Sequence, residues 1–201
     1  MKKTFFGFIV LIASLTINAN ETFSGFTMPE SVAEGRDGAI YVSEMGERDV
    51  DKDGKISKIN KEGVITTVAE GLYDPKGIVF FNDKLYVTDR DVVLEVSMNG
   101  SWIIYAGTMA FPKTPVFLND IDVSVNGDLY VTDTGDFESS GFVFLIKKTG
   151  DISVMFENNK NIKAPNGVLP ITSDKLLLVN WTGELLEADL TNNEVKKIAE
   201  G

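Results

Sequence analysis

One short phrase is spelled four times along this 201-residue chain. Gly38-Ala39-Ile40-Tyr41-Val42-Ser43-Glu44 returns as Lys84-Leu85-Tyr86-Val87-Thr88-Asp89 and as Asp128-Leu129-Tyr130-Val131-Thr132-Asp133. It returns more loosely as Lys175-Leu176-Leu177-Leu178-Val179-Asn180. The aligned positions 41, 86, 130 and 177 lie 45, 44 and 47 residues apart. A unit of that length, built of short β-rich runs, cannot bury its own faces and must stack on its neighbours. That is the signature of a β-propeller.

The repeats run over about 26–71, 72–114, 115–161 and 162–201, and each reads as four strands. In the second, Gly77–Phe81 precedes the turn pair Asn82-Asp83. Leu85–Thr88 and Val92–Val96 follow, then Met98-Asn99-Gly100 and Trp102–Tyr105. β-Branched and aromatic residues punctuated by Asn-Gly, Asp-Gly or Glu-Gly pairs are hairpin signals. No segment sustains a helical period long enough to compete. The expectation is an all-β propeller of four-stranded antiparallel blades, about four blades and sixteen strands.

The start of the chain stands apart from this pattern. Lys2 and Lys3 precede a largely apolar run from Phe5 to Ile17, then Ala19 and the polar Asn20-Glu21. A basic start, a short apolar stretch and a small residue before a polar switch read as a secretory signal peptide over residues 1–19. The run is too short to span a bilayer comfortably, which takes about 20 apolar residues. A periplasmic or secreted protein, free of the membrane after cleavage, is the expectation.

With 30 acidic residues against 19 basic ones, the formal charge is −11. Such a chain repels nucleic acid and attracts cations. There is no Cys, so packing and strand ladders hold it rather than disulfides. The absence of His excludes Ser-His-Asp and Cys-His machinery, leaving carboxylates, amides and hydroxyls for any chemistry.

A second phrase opens each repeat: Pro29-Glu30, Pro75-Lys76-Gly77, Leu118-Asn119-Asp120 and Pro165-Asn166-Gly167. In a propeller these positions ring one mouth of the central channel. Glu30, Asn119 and Asn166 are hard oxygen donors suited to a divalent cation; as turn residues they equally satisfy local backbone groups. A further cation candidate is Asp49-Val50-Asp51-Lys52-Asp53-Gly54, the D-x-D-x-D-G core of a calcium loop, though Asn60 stands where an EF-hand requires Glu. The other reading of Asp49, Asp51 and Asp53 is a solvated acidic insertion. Glu44, Asp89, Asp133 and Asn180 end the recurring phrase, where such residues pin turns by accepting backbone N–H bonds. Trp102 and Trp181 read as blade packing.

On these opening phrases the chain resembles the gluconolactonase/regucalcin-like superfamily of six-bladed propellers, which borders on the NHL-repeat propellers. In that family a first-blade Glu, a fourth-blade Asn and a later Asp hold one divalent cation, and a third-blade Asn contacts the sugar lactone. The resemblance therefore implies Glu30 and Asn166 as metal ligands, with calcium, manganese, magnesium or zinc as the cation, and Asn119 as a substrate contact. It assigns Lys76 no role. It implies a metal-dependent sugar-lactone hydrolase or a relative of one; the alternative is a non-catalytic NHL-like propeller that binds a ligand or protein partner.

The family's remaining acidic ligand belongs to a fifth repeat. Here Ala199-Glu200-Gly201 repeats Ala69-Glu70-Gly71 and the sequence stops about two blades short of a six-bladed ring. A truncated product, a small four-bladed ring and one part of a closed assembly all fit that ending. Self-association through open blade edges is a further expectation.

Overall fold

The alternation written into the recurring phrase becomes the second strand of each of four sheets. The computed structural model describes residues 22–138, 141–157 and 159–201, so the expected leader lies outside the described residues. Blade 1 comprises β1 (Pro29–Glu34), β2 (Ile40–Glu44), β3 (Gly54–Ile59) and β4 (Ile65–Leu72). Blade 2 comprises β5 (Pro75–Phe81), β6 (Lys84–Asp89), β7 (Val92–Ser97) and β8 (Trp102–Ala106). Blade 3 is β9 (Leu118–Val123), β10 (Leu129–Asp133), β11 (Phe142–Ile146) and β12 (Ile152–Met155). Blade 4 is β13 (Pro165–Pro170), β14 (Lys175–Asn180), β15 (Glu184–Asp189) and β16 (Val195–Glu200). Each sheet is an antiparallel meander in chain order, and together they form a β-propeller of four blades. A single 3-10 turn at Thr108–Ala110 is the one departure from strand and loop among the described residues.

Hairpin chemistry fixes the registers. Asn82 and Asp83 connect β5 to β6 with φ of 50° and 60°, the left-handed pair that a two-residue turn needs to match strand twist. Phe81 then pairs with Lys84 and Phe80 with Leu85.

Period-2 alternation splits each inner blade between two cores. In β7, Leu94 and Val96 pack with Ile56, Leu72 and Ile78 at the blade 1–2 seam, while Val93 packs with Leu118, Val131 and Phe144 at the blade 2–3 seam. In β10, Val131 belongs to that second seam, and Tyr130 turns to Val168, Leu176 and Leu178 at the blade 3–4 seam. Each fully buried Leu, Ile or Phe contributes about 1.5–3 kcal/mol, so stability resides in the seams. No blade has a core of its own.

The inner strands β1, β5, β9 and β13 pack in succession around the hub. Gly77 lets β5 and β9 approach closely: a Cβ there would lie 2.6 Å from the Asp120 Cα and 2.7 Å from the Asn119 carbonyl oxygen. The recurring acids hold the loops that lead into these strands. Asp89 accepts from the N–H groups of Tyr73 and Asp74, and Asp133 from those of Val116 and Phe117. Glu44 accepts from Thr27 N–H, and Asn180 from Lys163 N–H. These are the turn pins that their position in the phrase predicts.

Candidate functional site

All four inner strands carry an irregularity in the ladder at the same place, next to the channel mouth. Pairing slips between Pro29 and Ser31, between Pro75 and Ile78, between Leu118 and Ile121, and between Pro165 and Gly167. The residues left out of step include Glu30, Lys76, Asn119 and Asn166, the ring read from the sequence. A β-bulge leaves a residue unpaired and re-aims its side chain, and bulges concentrate beside functional sites.

The hydroxyl of the recurring phrase repairs what the bulge breaks. Thr132 Oγ1 accepts from Asp120 N–H at 2.9 Å and donates to the Asn166 carbonyl of the next blade at 2.8 Å. Thr88 Oγ1 donates across the preceding seam to the Asn119 carbonyl at 2.5 Å. In blade 1, Ser43 Oγ accepts from Ser31 N–H at 3.0 Å. These hydroxyls are wholly buried, so Asn119 and Asn166 are each set by the preceding blade as well as their own.

Charge at the mouth is uneven. Glu30 is open to water on one side, yet protein crowded around the other raises its pKa to about 6; the negative charge of Asp120 adds to this and the Lys76 ammonium opposes it. Asp120, half-buried, is also pushed up to about 6, by burial first and then by Asp122. The N–H groups of Val168 (2.8 Å) and Ile121 (2.9 Å) donate to its carboxylate and favour the charged form. Lys76 is buried and its pKa is lowered by loss of solvent, against the pull of Asp74, Asp89 and Glu30.

The amides complete the mouth. Asn119 is buried, and its Nδ2 donates to Thr134 Oγ1 at 3.0 Å, which orients the carboxamide. Asn166 is half-buried, with Gly167 beside it close to the Asp120 carboxylate. Below the mouth, Ser31, Val79, Asp120, Asp122 and Val168 are among the residues lining a cavity of about 320 Å³. A larger hollow of about 600 Å³ lies on the flank of blade 3, beside Phe142, Met155 and Lys160, away from the hub. Two carboxyl groups with pKa values near 6 can exchange protons close to neutrality, and with the amide oxygens they supply hard donors.

In the Asp49–Gly54 loop, two of the three carboxylates have protein partners. Asp51 pairs with Arg90 of blade 2, which also bonds Asp74 at 2.7 Å and lies 4.8 Å from the Tyr73 ring centroid. Asp53 turns back to accept from Glu47 N–H at 2.7 Å. Among the described residues, no group of three or more Asp, Glu, His or Cys side chains is placed to hold a metal ion. The loop clamps blade 1 to blade 2.

Trp181, read from the sequence as blade packing, is instead 57% exposed and lies edge-on to Phe137, centroids 5.1 Å apart. Phe117 and Phe137 are also residues the sequence did not single out. They follow no recurring phrase, so only coordinates reveal that they meet, at 4.8 Å.

Neither a protein-family model nor a curated protein matches this sequence. The fold is that of gluconolactonase-type propellers. It is similar to the gluconolactonase of Xanthomonas campestris, with a TM-score of 0.72 at 13% identity over 88% of this chain and 64% of that one. It is also similar to a luciferin-regenerating enzyme, with a TM-score of 0.63 at 14% identity over 86% of this chain and 59% of that one. The chain thus spans about three-fifths of the length of these structures.

Proposed function

We propose that the protein takes a small sugar-lactone-like molecule at this channel mouth and hydrolyses it with the help of a divalent cation. The observation that carries the reading is the pair Glu30 and Asp120, both with pKa near 6, beside two amides presented by equivalent bulges of neighbouring blades. Neither the Glu30 carboxylate nor the Asn166 side chain is committed to a hydrogen bond among the described residues, and their oxygens suit calcium, manganese, magnesium or zinc in a mixed-oxygen site. Glu30 and Asn166 would hold the ion, which when bound polarises a carbonyl and lowers the pKa of water. Asn119 contacts the ligand. Asp120, held between two N–H groups, accepts the proton from the attacking water as general base. Lys76 balances the mouth carboxylates. Export follows in this reading from the leader-like residues 1–19.

Opening of gluconolactone by the purified chain, followed with and without each cation, tests this. Turnover that falls about 10²–10⁴-fold in Glu30→Gln and Asp120→Asn is expected. Turnover indifferent to both changes, or absent with every cation, removes the hydrolase.

One observation favours a second reading. Lys76 already brings a positive charge to the mouth, and no three-acid cluster stands there among the described residues. A non-catalytic propeller that binds a ligand or protein partner would bind the lactone without opening it.

A further inference from the structure

A row of aromatic rings flanks the channel mouth and ends at Trp181, whose backbone N–H donates to the Ala164 carbonyl at 2.9 Å, two residues before Asn166. It begins at Lys76, whose ammonium sits 4.3 Å from the centre of the Phe117 ring. Phe117 meets Phe137 edge to face at 4.8 Å, and Phe137 meets Trp181 at 5.1 Å and 80°. The row ends on an indole with more than half its surface in water. Phe137 holds φ at 66°, a left-handed backbone that bulky side chains rarely adopt. Such strain persists only where its surroundings impose it, and it clusters at ligand sites. Here it places the Phe137 ring between Phe117 and Trp181.

We propose that Trp181, braced by Phe137, is a stacking platform for a polyhydroxylated ring whose hydroxyl edge faces the amides and carboxylates of the mouth. The inference rests on the reading of that mouth as a small-molecule site and adds the element that selects the ligand class. A sugar-like ring has one face of polarised C–H bonds, which suits the electron-rich face of an indole. Its hydroxyl rim suits Asn119, Asn166 and Glu30. Pockets that combine an aromatic wall with a few placed polar groups are the usual design for such ligands. A flat apolar ligand would leave the polar rim unpaired, and an open-chain polyol would leave the indole uncovered.

The test uses the full chain and 1,5-anhydro-D-glucitol, a ring that cannot be hydrolysed, with saturation-transfer NMR as the readout. Transfer from aromatic protons should be strongest to the ring C–H protons. Trp181→Ala should weaken binding about tenfold and Trp181→Phe much less, with little change in melting temperature. Phe137→Gly removes the ring that braces the indole, so it should weaken binding as well. Equal binding by wild type and Trp181→Ala, or no binding at roughly 10 mM ligand, overturns the inference. Trp181-dependent binding without lactone turnover leaves it standing and removes the hydrolase. Turnover insensitive to Trp181→Ala does the reverse.

Discussion

The ammonium of Lys76 rests over the Phe117 ring, 4.3 Å from its centre, and donates to the Asp74 carbonyl at 3.1 Å. Lys76 is 4% exposed, a degree of burial at which an amine ordinarily pairs with a carboxylate. Here a ring face and a neutral carbonyl hold it, so its charge is not committed to one acid. It acts at longer range on Asp74, Asp89 and Glu30.

A cation held by Glu30 must therefore compete with Lys76. Lys76→Met should tighten the apparent affinity for Mn²⁺ or Ca²⁺ about tenfold, seen as a larger metal-dependent rise in melting temperature. Lys76→Arg should behave as wild type, and adding Glu30→Gln to Lys76→Met should cancel the gain. Identical metal titrations of wild type and Lys76→Met would show that the lysine does not face the site.

The mouth acids give stability a sign with pH. Glu30 and Asp120 rise from 4.5 and 3.8 to about 6 in the folded protein, so the native state holds these protons more tightly than the unfolded chain. The stabilisation is present in full below the unfolded values and is lost as pH climbs through about 6. Glu30→Gln should then reduce the gain in melting temperature on going from pH 7 to pH 5. Parallel pH profiles for the two proteins would contradict the raised Glu30 value.

Gly77→Ala tests the hub. The added methyl meets the Asp120 Cα at 2.6 Å and the Ile121 nitrogen at 2.7 Å, backbone atoms that cannot rotate away. A loss of about 1–3 kcal/mol in urea unfolding is expected, together with weaker ligand binding because Asn119 shifts. A neutral substitution would mean that β5 and β9 sit farther apart.

Thr132→Val removes a buried hydroxyl while keeping its shape. It leaves Asp120 N–H without its acceptor and the Asn166 carbonyl without its donor. A cost of about 1–3 kcal/mol is expected, and Thr132→Ser should recover most of it. Denaturant midpoints for the three proteins decide the matter.

The blades were legible because alternation and turn chemistry are local: Asn82-Asp83 names its own hairpin, and Leu85-Tyr86-Val87 its own faces. The turn pins could be read as well, since Asp89 and Asp133 act on loops that each blade supplies. The mouth was legible only as positions. That Glu30 and Asn166 sit on bulges is a property of the ladder, invisible without the partner strand. The partners of the Asp49–Asp53 pattern are hidden for a related reason. Its spacing suits a cation, but Arg90, 39 residues after Asp51, takes that carboxylate. Trp181 lies one residue beyond β14, where alternation no longer tells inside from outside.

The buried hydroxyl bridges between blades bear on how such a protein can diversify. Thr88 sits in one blade but fixes a mouth residue of the next, and Thr132 does the same one blade later. A transplanted blade would arrive with its amide or carboxylate and without the neighbour that aims it. The heritable module is therefore offset from the visible one: it begins midway through one sheet and closes at the opening strand of its successor.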